Sequence, residues 1–413
     1  MRSDVIFAPK KLLGLMTMLA GLAPVVAAQR QERTIEEIRV EAIHRAEVGA
    51  YPLIGLDPND VREAFEHIHS RDKDEWAEGF MGVANRYMAE GEALKTTDPS
   101  KANADFIRAW HLYSFGKWPV DSSPKKKESY AKAIQAYLAH AQFLDPPLQV
   151  IHIPFEGKEI IGYLRLPKGA AGAVPIVIAI NGLDSRKEDL SESFSAILAY
   201  GIAYIAVDGP GTGQSPLKAS PDAGRAISAV IDYLQNRPDI DKSRIAIHGV
   251  SWGAYWGTKM AVVERSRLRC VSVQSPPTDE FFQKEFVQKS LLGNREYLFD
   301  QIPAMMSIFD NITTVDQVVD MFSKLSLANE KILGRPTTPM LVIGGVRDTQ
   351  VPIADLYTLL SSGDVPKTAW INPEGGHLGR QIGVWPDQRI FREVILPWLA
   401  ANLKPAVPER GAL

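Results

Sequence analysis

The chain has 413 residues, of which 45% are apolar and 23% charged, and 46 basic against 49 acidic side chains give a formal charge of −3. That length allows two or three domains and a large core, while the charge balance offers no bulk electrostatic grip on nucleic acid and the composition argues against wholesale disorder. A single cysteine, Cys270, excludes an intrachain disulfide framework and any multi-thiolate metal site.

The first segment is read apart from the fold. Arg2, Lys10 and Lys11 precede an apolar run from Leu12 to Leu22, then Ala23-Pro24-Val25-Val26-Ala27-Ala28 and the polar Gln29-Arg30-Gln31. A basic start, a short apolar stretch and small residues at Val26 and Ala28 predict a secretory signal over 1–28 and hence an exported protein. The alternative is an uncleaved membrane anchor, which Gly21 and Pro24 weaken by breaking the run. No later stretch is long and apolar enough to span a bilayer.

Residues 33–147 predict a helical domain. Trp76, Phe80, Val83 and Tyr87 recur at helical spacing, as do Phe106, Trp110 and Tyr113, and Tyr130, Ile134, Tyr137, Ala141 and Leu144. Asp57-Pro58-Asn59-Asp60 and Asp98-Pro99-Ser100 are start signals, and Asp145-Pro146-Pro147 ends the region. Trp110, Tyr113 and Trp118 are read as core before pocket.

From Leu148 the pattern changes. Val150 to Ile153 and Ile160 to Leu166 predict two antiparallel strands around a Gly157-Lys158 turn. Apolar runs at Val174–Ile180, Ala203–Val207, Arg244–His248, Arg269–Val273, Met340–Ile343 and Thr368–Ile371 then alternate with helical patterns near 187–199, 222–235, 252–264, 352–361 and 386–402. Such alternation implies a mainly parallel sheet covered on both faces, so 148–403 is read as one α/β domain. The stretch 276–335 is too long for a connector and predicts an inserted helical lid. Residues 404–413 read as a loose tail.

Gly249-Val250-Ser251-Trp252-Gly253 follows one strand and opens a helix. A turn that sharp needs small residues on both sides of the serine and holds its hydroxyl exposed, which makes Ser251 the candidate nucleophile. A serine hydroxyl needs a base. Of eight histidines only His377 lies downstream of Ser251, in the loop Pro373-Glu374-Gly375-Gly376-His377. His248, on the strand before the turn, reads as a packed imidazole. Asp348 follows a late strand and precedes His377, giving the chain order Ser, acid, His expected for this fold; Glu374 and Asp364 are the rival acids. For an oxyanion hole, the N–H of Trp252 and that of Leu183 are the candidates, with Gly182 second. Asp208-Gly209-Pro210-Gly211-Thr212-Gly213-Gln214-Ser215 lacks the Gly-Lys-Ser/Thr ending of a phosphate loop. No Cys/His spacing suggests zinc, and nothing requires an organic cofactor.

These residues resemble the α/β-hydrolases, and within them the group containing 2,6-dihydroxypseudooxynicotine hydrolase and the fungal polyketide-shortening hydrolases. The resemblance covers roughly 100–402: the Tyr130…Tyr137 segment, Asp145-Pro146-Pro147, Ile153-Pro154-Phe155-Glu156-Gly157, Asn181-Gly182-Leu183-Asp184-Ser185-Arg186-Lys187-Glu188, Asp208 to Gly213, Gly249 to Gly253, and the Asp348 and His377 loops. It implies an α/β-hydrolase fold with a helical domain over the pocket, and a serine hydrolase that cleaves either an ester or a carbon–carbon bond beside a ketone in a small carbonyl substrate. The apparent export signal departs from the cytosolic members.

Acyl transfer through Ser251, His377 and Asp348 is the expected mechanism. A β-diketone would release an enolate carbon and need a second stabilising group, for which Asp279 and Glu280 are candidate substrate-binding residues. A plain carboxylesterase, a peptidase-like hydrolase and a catalytically inactive binding module of the same fold stay open, as does a homodimer. The expected partner is a small molecule, with no nucleic acid and no stable membrane span.

Overall fold

Four of the first five helices begin on a side chain that accepts their orphan backbone N–H groups. Thr34 caps α1 (Ile35–Glu47), Asp57 caps α2 (Pro58–Phe65), Asp72 caps α3 (Lys73–Leu94) and Asp98 caps α4 (Pro99–Lys117); α5 (Pro124–Ala141) starts on a proline. Their apolar stripes meet in an aromatic cluster, with the Trp76, Phe80 and Phe115 ring centroids 4.8 to 5.2 Å apart. The protein is described here by a computed structural model covering residues 32–170, 172–293, 297–299 and 301–404. The signal reading over 1–28 and the tail beyond 404 lie outside the described residues. No helix among the described residues is long and apolar enough to cross a membrane.

Eight strands form one sheet: β1 (Gln149–Phe155), β2 (Lys158–Arg165), β3 (Val174–Ile180), β4 (Ala203–Val207), β5 (Ile240–Val250), β6 (Cys270–Gln274), β7 (Met340–Gly345) and β8 (Thr368–Asn372). Their spatial order is β1-β2-β4-β3-β5-β6-β7-β8. The β1–β2 and β2–β4 pairs are antiparallel and the rest parallel. This is the mainly parallel sheet expected from the strand–helix alternation, and it agrees with the α/β-hydrolase fold that the resemblance implies. The hairpin turn is Glu156-Gly157, not Gly157-Lys158: both turn residues have positive φ (47° and 74°), and Lys158 already pairs with Phe155. That geometry suits a tight two-residue hairpin.

Sheet helices follow as α6 (Lys187–Phe194), α7 (Arg225–Gln235), α8 (Trp252–Val263), α12 (Ile353–Leu360), α13 (Asp387–Ile390) and α14 (Leu396–Asn402), while α9 (Lys284–Gly293), α10 (Ile302–Ser307) and α11 (Val315–Ser323) lie between β6 and β7. Two expected helices are interrupted. The one near 187–199 tightens into a 3-10 turn at Ser195–Tyr200, and the one near 386–402 widens into a π-turn at Phe391–Ile395. Pro397, without an N–H, sits two residues after that widening, where a regular ladder would clash with its ring.

The pleat of the central strand divides the interior. Ile176, Ile178 and Ile180 of β3 join the core that contains α7, α8 and the 276–335 insertion. Val177 and Ala179 point the other way, into the core that contains Trp76, Phe80 and Tyr137 of the helical region. Tyr137 of α5 stacks on Tyr163 of β2 at 5.5 Å and 12°. The helical region therefore shares its main core with the sheet, and the described residues fall in one compact unit. The insertion is tied to the helical region as well: Tyr297 and Phe299 pack on Trp118, and Phe299 also on Trp76.

Its entry is pinned by one carboxylate. Asp355, in the first turn of α12 and 0% exposed, accepts the backbone N–H groups of Thr278, Asp279, Glu280 and Phe281 at 2.6 to 3.2 Å. Asp355→Ala strands these donors, at about 1–3 kcal/mol for each one left buried. Calorimetry should show a melting temperature lowered by more than about 5 °C, with limited proteolysis cutting first within 276–283; an unchanged melting temperature would show that the insertion does not depend on this carboxylate.

Candidate active site

The parallel strands all deliver their C-terminal ends to one edge of the sheet, and the loops leaving β3, β5, β7 and β8 meet there. Ser251 leaves β5 with φ 52° and ψ −113°, a left-handed-side conformation that a side-chain-bearing residue rarely adopts. The turn is possible because its flanks carry no Cβ. At Gly249 a Cβ would lie 2.2 Å from the Gly253 carbonyl oxygen, and at Gly253 it would lie 2.2 Å from the Ile180 carbonyl oxygen. Helix α8 thus starts directly behind the serine, which keeps partial exposure.

His377 arrives in the loop after β8, and its Nε2 lies 3.0 Å from Ser251 Oγ. Its Nδ1 lies 2.9 Å from Asp348 Oδ2. Asp348 is held in turn: Oδ1 accepts the N–H groups of Gln350 and Val351 at 2.8 and 2.9 Å, and Oδ2 accepts the Ser275 hydroxyl at 2.8 Å. Burial alone would raise this carboxyl. The His377 imidazole beside it, with the Val351 and Ser275 bonds, outweighs burial and holds it below the usual carboxylate range. The structure thus brings Ser251, His377 and Asp348 into one hydrogen-bonded chain. The rival acids point elsewhere: Glu374 pairs with Arg347, and Asp364 with Arg265. His248 bonds the Ser272 hydroxyl at 2.7 Å, and burial pushes its imidazole down to about 3.

The loop after β3 lies over the nucleophile turn; a Cβ at Gly182 would be 3.5 Å from Ser251 Cβ. Gly182 N–H is already engaged by the Ser185 hydroxyl at 3.0 Å. Among the described residues, neither the Leu183 nor the Trp252 N–H has a protein acceptor. Asp184 follows on this loop. Its Oδ2 accepts the Trp118 indole N–H at 3.2 Å, and its carbonyl oxygen accepts Lys117 Nζ at 2.5 Å. Burial pushes its carboxyl above the ordinary value, against a hydrogen bond from Tyr297 and the positive fields of Arg380 and His377. Trp118, read from sequence as core, is buried, but its N–H reaches this site.

The other motif loop braces the first. Asp208 accepts Lys187 N–H at 2.9 Å, Lys187 Nζ at 3.1 Å and Gln214 N–H at 2.9 Å. Lys187 is 0% exposed and also bonds Glu188 and Gln214. Within this glycine-rich loop Gln214 N–H goes to Asp208, Gly209 N–H to Asn181 Oδ1, and the N–H groups of Gly211, Thr212 and Ser215 to the carbonyl oxygens of Leu217, Gly209 and Thr212.

Asp279 and Glu280 lie at the entry to the insertion. Asp279 accepts the Ser326 hydroxyl at 2.6 Å and Gln283 Nε2 at 2.9 Å, so it fastens the insertion to itself, and Glu280 faces solvent. No hydrogen bond among the described residues joins either carboxylate to Ser251, His377 or Asp348. Ser275 went unnoticed in the sequence. Its hydroxyl donates to Asp348 and accepts Leu378 N–H at 2.9 Å, so it ties the acid loop to the histidine loop. The available signal was a small polar residue at the end of β6, just before Pro276-Pro277.

Ser275→Ala leaves Leu378 N–H without its acceptor and removes one bond that holds Asp348 low. A carboxyl held below its unfolded value contributes stability above that value and loses it as pH falls through the folded one. Acid titration followed by circular dichroism should therefore show Ser275→Ala unfolding at a higher pH than the native protein; coincident acid transitions would contradict the bridging role.

A profile described as FrsA-like esterase matches residues 51–371. Esterase FrsA of Serratia proteamaculans (strain 568) is 25% identical over 327 residues, covering 75% of this chain and 78% of its own. The alpha/beta hydrolase ucsC of Acremonium sp is 26% identical over 420 residues, covering 84% of each chain. Among solved structures, 2,6-dihydroxy-pseudo-oxynicotine hydrolase superposes with a TM-score of 0.70 at 22% identity, covering 87% of this chain and 95% of that one. At that identity the likeness speaks for the fold.

Proposed function

The chain belongs to the FrsA-like esterase family of α/β-hydrolases, and from that premise we propose that it is a serine esterase that opens the acyl bond of a small carbonyl substrate. The observation that carries the reading is the Ser251–His377–Asp348 chain, with links of 3.0 and 2.9 Å. His377 takes the Ser251 proton as Oγ attacks the carbonyl carbon. Asp348 orients the imidazole and stabilises its cation. The N–H groups of Trp252 and Leu183 hold the oxyanion, an interaction worth about 2.7–4 kcal/mol for each donor in comparable sites. His377 then protonates the departing alcohol, and water repeats the sequence on the acyl-enzyme.

Cleavage of a carbon–carbon bond beside a ketone is the second reading, and Asp184 is the observation that favours it. It follows the oxyanion donor Leu183, keeps partial exposure, and has its carboxyl pushed up by burial. That carboxyl, beside the proposed oxyanion donor, is a candidate second group for the enolate that such a cleavage releases. Ester cleavage needs no such group and is preferred for that reason.

Ser251→Ala is expected to lower ester turnover at least about 10,000-fold with the fold intact, and the native serine should take up a fluorophosphonate. Wild-type turnover by the variant would refute the nucleophile, and an unreactive serine would leave a binding module of this fold. In a panel of matched aryl esters and β-diketones, ester hydrolysis with untouched diketones supports the esterase reading; diketone cleavage lost in Asp184→Asn, with ester rates kept, supports the second. Export is proposed from residues 1–28. N-terminal sequencing of the mature protein should begin at or near Gln29, and a start at Met1 would overturn it.

A further inference from the structure

The oxyanion donor proposed at Leu183 is a backbone group, so something must set its direction. In a trans peptide the C=O and N–H point to opposite sides. The partner of the Gly182 carbonyl oxygen therefore decides where Leu183 N–H points. That partner is Asn181 Nδ2, at 2.8 Å. The same amide nitrogen donates to Ser185 O at 2.7 Å and to Thr212 Oγ1 at 3.0 Å. Its Oδ1 accepts Gly209 N–H at 2.7 Å. With 0% exposure and partners on both ends of the carboxamide, whose two N–H bonds are shared among these three acceptors, the side chain is held with its oxygen toward Gly209 N–H and its nitrogen toward the Gly182 and Ser185 carbonyls.

The next carbonyls along the loop accept from basic side chains. Leu183 O accepts Arg186 Nη1 at 3.1 Å, and Asp184 O accepts Lys117 Nζ at 2.5 Å. Lys117 comes from the helical region and is 2% exposed. Carbonyls 182 to 185 are thus all held by protein donors, while Leu183 N–H has no acceptor among the described residues. A dipole fixed before substrate arrives costs no reorganisation when the oxyanion forms.

We infer that Asn181 is a positioning residue whose carboxamide holds the Gly182–Leu183 peptide so that Leu183 N–H meets the developing oxyanion, with Lys117 as the outer hold contributed by the helical region. The inference rests on the proposed roles of Ser251 and Leu183. A merely structural amide would affect folding; an aiming amide affects the transition state in particular.

The test compares native protein, Asn181→Asp, Asn181→Ala and Lys117→Met on one aryl ester. Asn181→Asp keeps the acceptor for Gly209 N–H and loses the donors. In both Asn181 variants kcat should fall about 10- to 100-fold, below the loss for a deleted oxyanion donor, while KM stays within threefold. Inhibition by an aryl boronic acid, which forms a tetrahedral adduct on serine, should weaken in the same proportion as kcat. Lys117→Met should give the same signature at about a third to a tenth of native kcat, and it carries the test if the Asn181 variants fail to fold. Native kcat in soluble variants, or a kcat loss with unchanged boronate affinity, overturns the inference. Ser251→Ala run alongside separates the two readings: an active Ser251→Ala sinks the nucleophile, whereas an inert Ser251→Ala with fully active Asn181 variants sinks only the positioning role.

Discussion

The arrangement depends on the parallel register of the sheet. Because β3, β5, β7 and β8 run the same way, their C-terminal ends open on one edge, and residues far apart in the chain become neighbours there. Ser251 and His377 are 126 positions apart, and Asp348 and His377 are 29 apart. The helices between these strands return the chain to the opposite edge, and the connections that leave β3, β5 and β7 at this edge are short. Buried strands such as β3, with all seven residues inside, give that edge a stiff base.

Rigidity at the edge is obtained in part from strain and in part from buried charge. The positive φ of Ser251 is tolerated because backbone crosses where Gly249 and Gly253 have no side chains. Ser275, at the end of the neighbouring strand, also has positive φ (49°), and its hydroxyl spans the acid and histidine loops. Lys187 and Asp208 lie fully inside, which is tolerable only because each is paired and further hydrogen-bonded. Breaking such a pair leaves an uncompensated buried charge, whereas the intact pair locks two loops together.

Two further layers reach the same edge. The helical region contributes Lys117 and Trp118, both of which touch Asp184 next to the proposed oxyanion donor. The insertion brings Tyr297 against Trp118, and its entry is pinned by Asp355. The helical region and the insertion are therefore mechanically joined to the loop that borders Ser251, so family membership and site geometry describe one structure rather than a hydrolase with an appendage.

Much of this was legible in the sequence. The Asp57, Asp98 and Pro146 signals bounded helices because caps and prolines act through their immediate backbone. The apolar runs located β3 and β4 to the residue, and the glycine-flanked Ser251 marked a strand-to-helix turn, because sterics between near neighbours decide both. His377, the one histidine after Ser251, and Asp348, placed after a late strand, were candidates from chain order together with strand position. Other features depended on contacts between distant segments. Ser275, Asn181 and Asp355 look like ordinary polar residues until folding supplies their partners, and Asp279 looked available until Ser326 closed on it. The hairpin turn shifted by one residue because pairing of Phe155 with Lys158 sets the register, and the division of β3 between two cores needed layers on both faces. Periodicity, capping and turn sterics are local forces written along the chain; hydrogen-bond satisfaction and burial are properties of the assembled whole, and they chose which polar groups surround the proposed nucleophile.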